Sequence, residues 1–158
     1  MRIAVVGDTH GRIEKIKKEL RAKKPDYMFF TGDHYSDARR IAYHLKLGFD
    51  AVVGNCDARK AGSAEKLIEM AGKRFYIVHG HQYGVKHNLQ SLYYRGKEVE
   101  ADVVLFGHTH VPLCEEFDNL WLINPGSPSL PRMGKIGSYA MIKADSQVFS
   151  PEIIYLKT

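Results

Sequence analysis

Five apolar runs in this 158-residue chain each end directly in Asp, Asn or His, usually beside a glycine. They are Val5-Val6-Gly7-Asp8-Thr9-His10, Phe29-Phe30-Thr31-Gly32-Asp33, Val52-Val53-Gly54-Asn55, Ile77-Val78-His79 and Leu105-Phe106-Gly107-His108-Thr109-His110. Short apolar runs bounded by turn residues read as buried strands. In open α/β sheets, ligands bind in the crevice outside the carboxyl ends of the strands. A fold that aligns these five ends would gather polar groups from across the whole chain onto one patch. Few folds can do that.

Helical periodicity fills the gaps between the early strands. Ile13, Ile16 and Leu20 recur on one helical face, and Pro25 stops that helix. Tyr27–Phe30 makes the second strand, and Ala38, Ile41, Ala42 and Leu45 mark a second helix with Ser36 as N-cap. Ala51–Val53 reads as the third strand. Beyond it the pattern turns β-rich. Lys66–Met70 and Arg74–Val78 flank Ala71-Gly72-Lys73 as a hairpin, and a helix carrying Leu89, Leu92 and Tyr93 follows Asn88. Asp102–Phe106, Val111–Phe117, Leu120–Ile123, Ser138–Lys143 and Val148–Leu156 read as further strands. A βαβαβ half followed by a β-rich half predicts an α/β fold of two packed sheets with helices outside, in one domain over residues 1–158.

The strand ends carry seven candidate metal ligands: Asp8, His10, Asp33, Asn55, His79, His108 and His110. A lone Gly-Asp is an ordinary turn dipeptide, but five such sites in one chain are hard to produce for packing reasons. Asp8 and His10 are spaced by two, as are His108 and His110, which on extended backbone puts both side chains on one side. Seven ligands exceed the ~4 that one ion takes in a closed site, and suit two ions sharing a carboxylate. Such a pair, ~3.5–4 Å apart, generates a nucleophile from water at neutral pH and clamps the oxygens of a phosphoryl group.

In this order the motifs resemble those of the calcineurin-like metallophosphoesterases: Asp-x-His, Gly-Asp, Gly-Asn-His-Asp/Glu, His and Gly-His-x-His. The lack of large insertions and Ile123-Asn124-Pro125-Gly126-Ser127 are most similar to the small YfcE-like phosphodiesterase branch. The resemblance implies a four-layer αββα sandwich of two mixed β-sheets flanked by helices. It implies that Asp8, His10 and His110 hold one divalent ion, that Asn55, His79 and His108 hold a second, and that Asp33 bridges them. The activity implied is in-line attack on phosphorus by a metal-bound hydroxide, with a small phosphodiester or nucleotide as substrate and Asp33, Asn55, His79 and His81 in catalytic roles. Imidazole with carboxylate admits Mn, Ni, Fe, Co or Zn.

One position departs from the larger family. Cys56 stands where a histidine usually follows Gly-Asn, as it does in the small branch. A thiol is a poor substitute for imidazolium as a proton donor at pH 7. Cys56, His34 after Asp33, and His81 two residues past His79 are candidate substrate contacts. Asp57 either orients a ligand or caps the segment immediately after it.

The net charge of +5 is mild, and the Arg12–Lys24 run reads as a solvated helix face without interleaved aromatics. No dedicated nucleic-acid surface is therefore expected. The longest apolar runs are far short of the ~20 residues that span a bilayer, and Arg2–Val6 leaves no room for a signal peptide. Two cysteines form no disulfide framework, so the expected compartment is the cytoplasm. An uncovered strand edge in a two-sheet fold favours a homodimer. The competing reading is a protein-binding scaffold like the small subunit of the retromer coat, which has this architecture and a degraded metal site.

Overall fold

The computed structural model describes residues 1–132, 134 and 136–157. In chain order its elements are β1 (Arg2–Val6), α1 (Glu14–Lys23), β2 (Tyr27–Phe30), α2 (Tyr35–Leu45) and β3 (Gly48–Ala51). The β-rich half comes next, with β4 (Glu65–Met70), β5 (Lys73–Val78), α3 (Gln90–Glu98), β6 (Val103–Leu105), β7 (Leu113–Phe117), β8 (Leu120–Asn124), β9 (Ser138–Ala144) and β10 (Phe149–Tyr155). One sheet runs β10-β9-β1-β2-β3 and the other β4-β5-β6-β8-β7. Each is mixed. Strands β1, β2 and β3 are parallel, as are β5, β6 and β8, while β9, β10, β4 and β7 pair antiparallel with their neighbours.

Strand periodicity explains the layers. Side chains alternate across a sheet, so Ala4 and Val6 of β1 face α1 and α2, packing with Ile16, Leu20 and Ile41. Ile3 and Val5 face the other way and meet Phe75, Ile77, Val103 and Leu105 of the second sheet. On the far face of that sheet, Tyr76, Val78, Val104 and Phe106 bury Leu92 of α3. The order from outside to outside is α1/α2, sheet, sheet, α3, the expected αββα arrangement. No helix of the described residues is long and apolar enough to cross a membrane.

Three local expectations need correction. Strand β3 is Gly48–Ala51, not Ala51–Val53, because the partner strand ends at Phe30 opposite Ala51. Val52 and Val53 both stay buried. Val52 N–H makes the last bond to β2, donating to Phe30 O at 3.1 Å, and Val53 leaves the ladder, its N–H donating to Ser63 O at 2.9 Å. Helix α2 is not capped by Ser36. Its first residue is Tyr35, its N-cap His34 is left-handed, and its capping oxygen comes from Asp57 on another loop, as Tyr35 N–H donates to Asp57 Oδ1 at 2.8 Å. Strand β7 begins at Leu113, two residues after Val111.

Candidate metal centre

The carboxyl ends of β1, β2, β5 and β6 open onto one patch, and their polar residues meet there. Donor atoms of Asp8, His10 and His110 lie within 4.8 Å of one another, as do those of Asp8, Asp33 and His79 and those of His10, Asp33 and Cys56. Asp8 and His79 are fully buried, Asp33 and His110 nearly so.

The imidazoles form two groups. His10 stacks near His110 at 5.2 Å between ring centroids and near His34 at 5.5 Å. His79 lies 5.1 Å from His108 and 5.3 Å from His81. The carboxylates stand between the groups. Asp33 Oδ2 is 3.7 Å from His10 Nε2 and 3.4 Å from His79 Nε2. Asp8 Oδ1 is 3.6 Å from His110 Nε2 and 3.8 Å from His79 Nε2.

These separations fit metal ions better than hydrogen bonds. Asp8 Oδ1, His10 Nε2 and His79 Nε2 are buried with no hydrogen-bond partner, and such orphaned groups need an explanation. Two donors each ~2.0–2.1 Å from a shared ion sit roughly 3–3.5 Å apart at tetrahedral or octahedral angles. The imidazoles are also oriented for the task. His79 Nδ1 bonds Thr31 O at 2.8 Å and His110 Nδ1 bonds Leu130 O at 2.7 Å. Those carbonyls fix the proton on Nδ1 and aim the Nε2 lone pair at the carboxylates, as in metal-ligating histidines.

Electrostatics agrees for four of the imidazoles, His10, His81, His108 and His110. Burial pushes His108 down to about 4, with repulsion from His79 and Lys86 adding to it. Burial also lowers His10, His81 and His110, leaving them in the neutral form that binds metal. Burial raises Asp8 to about 7 against the pull of His79. Asp33 feels burial too, but the His79 imidazole and the Cys56 N–H outweigh it and hold this carboxyl below the usual range. Burial acts to lower His79, and the two carboxylates overcome it and raise the imidazole.

Convergence does not arise as the spacing implied. Asp8, His10, Asp33, His34, His108 and His110 all have left-handed backbone, with φ between 48° and 71°. The loops curl rather than extend, so His108 turns to His79 while His110 turns to His10. For non-glycine residues this conformation costs about 1–3 kcal/mol each and persists only where surroundings over-determine it. Here they do. Asp57 Oδ2 accepts Asp33 N–H at 3.0 Å and Gly54 N–H at 2.8 Å. Asp37 Oδ2 accepts Thr9 Oγ1–H and Gly11 N–H, both at 2.7 Å. Ser127 Oγ donates to Asp8 O at 2.7 Å, and Asn124 Nδ2 donates to Gly107 O at 3.1 Å. Two glycines are required by close approach: a Cβ on Gly54 would stand 2.0 Å from Asp33 Oδ1, and one on Gly107 2.7 Å from Asp8 Oδ2.

Of the predicted residues, Asp8, His10, Asp33, His79 and His110 share the tight donor set. His108 and His81 join through His79, His34 joins through His10, and the Cys56 N–H donates to Asp33 Oδ1 at 3.0 Å. Burial and the nearby Asp33 raise the Cys56 thiol above its ordinary value. Asn55 lies at the exposed edge, its Nδ2 on Cys56 Sγ at 3.7 Å, with no protein donor on its amide oxygen among the described residues. Asp57 orients the loop that precedes α2 and caps that helix, and does not cap the segment after itself. Sequence reasoning missed Asp37, Asn124 and Ser127. Only the turn-rich Asn124–Pro128 segment offered a signal.

Comparison with known proteins meets the geometry here. The model of the calcineurin-like phosphoesterase superfamily domain matches residues 1–147. A probable metallophosphoesterase of Bacillus subtilis (strain 168), YsnB, is 32% identical over 148 residues, 92% of this chain and 86% of its own. Phosphodiesterase YfcE of Escherichia coli (strain K12) is 34% identical over 105 residues, 60% of this chain and 52% of that protein. Among solved structures, Vps29 of Entamoeba histolytica complexed with Zn2+ superposes with a TM-score of 0.81 at 18% identity, covering 98% of this chain and 99% of its own.

Proposed function

The chain belongs to the calcineurin-like phosphoesterase superfamily, and from that premise we propose that it is a phosphodiesterase working with two divalent ions. The observation that carries the reading is Asp33 Oδ2 standing between Nε2 of His10 and Nε2 of His79, one imidazole from each group. His10, His110 and Asp8 would hold one ion, His79, His108 and Asn55 the other, and Asp33 would touch both. When bound, such a pair activates the attacking water and neutralises charge on the phosphoryl oxygens. His34 and His81 flank the donor set, beside His10 and His79, and would contact the remaining phosphate oxygens.

The leaving oxygen needs a proton, a contribution worth about 10²–10⁴-fold when a positioned acid supplies it. Cys56, its thiol raised, is a weak donor. Aryl diesters with acidic leaving groups are therefore the favoured substrates, and monoesters, with one more negative charge, the poor ones. The scaffold alternative draws on the likeness to Vps29, which at 18% identity shows the fold alone.

The test is a panel of diesters and monoesters of graded leaving-group pKa, given to the purified, metal-loaded protein and to Cys56→His. The expected outcome is diester turnover that falls steeply with leaving-group pKa, and a shallower slope in the variant. Two ions bound with no diester turned over would favour the scaffold. Equal slopes would move the proton donor elsewhere, to His81 first.

A further inference from the structure

Beside the His108–His110 loop lies a groove of about 520 Å³. Its walls are apolar: Val85 and Leu89 come from the segment before α3, Phe106 from the end of β6, and Val111 and Leu113 from the chain running into β7. Thr109, seated between the two loop histidines, joins it to the donor cluster. The volume lies within the usual range for small-molecule sites, which are mostly apolar with a few placed polar groups.

The rim is cationic. Lys86 and Arg132 both line the groove. The lysine and arginine ion pairs among the described residues belong to Lys17, Arg40, Lys66 and Arg95, so these two cations are uncommitted. Both are also near the centre. They share the groove with Thr109, between the two loop histidines, and the backbone N–H of Arg132 donates to His110 O at 3.5 Å. An apolar slot rimmed by two free cations does not match a small alkyl ester, which would leave the walls wet and the charges idle.

We propose that this groove seats one arm of the diester, an arm built on a heteroaromatic ring whose faces pack the apolar walls and carrying a further negative charge, as in nucleotide-type diesters. The inference rests on the phosphodiesterase reading and names the substrate class for it. Burial of the ring against Leu89, Phe106, Val111 and Leu113 supplies the attraction, and Lys86 with Arg132 selects for the second anion. The same cations draw anionic substrate toward the centre.

Two readouts test it. In the first, kcat/KM is measured for the p-nitrophenyl ester of a nucleoside bisphosphate and for methyl p-nitrophenyl phosphate. The ratio of the two should favour the nucleotide ester. It should fall about tenfold in Leu113→Trp, which fills the slot, and comparably in Lys86→Glu/Arg132→Glu. In the second, chelator-treated protein is titrated with thymidine 3′,5′-bisphosphate while methyl resonances are followed. Shifts at Val85, Leu89, Val111 and Leu113, lost in the charge-reversed variant, support the groove. Diester turnover with an unchanged ratio and silent groove methyls overturns the inference alone. Failure to turn over either ester overturns the phosphodiesterase reading and the inference with it.

Discussion

Left-handed backbone closes helices at Lys24 and Lys46 and also shapes the ligand loops and the two tight hairpin turns, and these last two regions are held in different ways. Ala71-Gly72 joins β4 to β5, and Asp118-Asn119 joins β7 to β8, with positive φ at all four residues. A two-residue turn of that type matches the twist of its flanking strands, so the neighbouring ladder is enough to enforce it, although Asp118 also accepts hydrogen bonds from Tyr93 and Lys97 of α3. At the ligand loops no ladder does so. Asp33 is fixed by a carboxylate 24 residues away, Gly11 by one 26 residues away, and the Asp8 carbonyl by a hydroxyl 119 residues away. Strain at the turns serves the chain's connectivity. Strain at the loops serves the placing of donors, and it is kept by contacts from distant parts of the chain, one of which, Asp57, also caps α2.

Removing a donor is the severest way to break the comparison. Asp33→Ala should abolish hydrolysis and lower bound metal from two equivalents toward one or none, because Oδ2 faces both imidazole groups. The fold should survive, since the other donors sit on separate strand ends. Asp8→Ala makes the contrast sharper. Asp8 Oδ1 also faces both His79 and His110, so a larger metal loss there would make Asp8 the bridge. Elemental analysis of both variants decides between them, and two ions retained in Asp33→Ala would end that assignment.

Asp57→Ala leaves every donor in place and removes the acceptor for the N–H groups of Asp33, Tyr35 and Gly54. If long-range acceptors hold the strain, metal affinity should fall about 10–100-fold, as when outer partners of ligands are lost. Competition against a chelating dye measures it. An unchanged affinity would mean the loop keeps its shape without Asp57, and the contrast with the hairpins would collapse.

The same distinction separates the features legible in the sequence from those that are not. The residues gathered at the patch are legible because they lie in the short segments that close apolar runs, a local pattern. The layering is legible because Ile3, Ala4, Val5 and Val6 alternate between two cores. The αL curl of the loops is not, since nothing adjacent to Asp8 or His108 requires it. Local capping rules point Asp57 at the segment after it, whereas two of its three donors lie 22 and 24 residues back. The bounds of β3 are hidden for a related reason. Val52 and Val53 are as buried as strand residues, yet where the ladder stops is set by the end of β2.

Protonation offers a milder probe. Burial raises the folded-state pKa of Asp8 to about 7 from an ordinary 3.8. A folded carboxyl that keeps its proton longer than the unfolded one stabilises the metal-free fold at low pH and loses that contribution as pH rises toward 7. Asp8→Asn, which cannot ionise, should therefore become progressively more stable than the natural chain between pH 4 and 7, with a plateau above. Metal should reverse the order above pH 7 in the natural chain, and its uptake should release a proton below it. Denaturant titrations across that range, with chelator and with metal, read both effects, and a flat difference between the two proteins in chelator would remove Asp8 from the account.

The smallest effect belongs to the hairpin side. Ala71 has φ 50° and carries a Cβ in a conformation that costs an L-residue roughly 1–2 kcal/mol. Asparagine tolerates it better, and Asn-Gly is the favoured pair for this turn. Ala71→Asn should therefore stabilise the protein by about 0.5–1 kcal/mol, less whatever the half-buried methyl contributes against the inter-sheet core. A gain of that size raises Tm by roughly 1–4 °C in a chain of this length. The turn lies at the other end of β5 from His79, so metal content and turnover should not move. A change in metal affinity would show that strain at the hairpin and strain at the ligand loops are coupled through β5, and a fall in Tm would show that the Ala71 methyl matters more to the core than its backbone costs the turn.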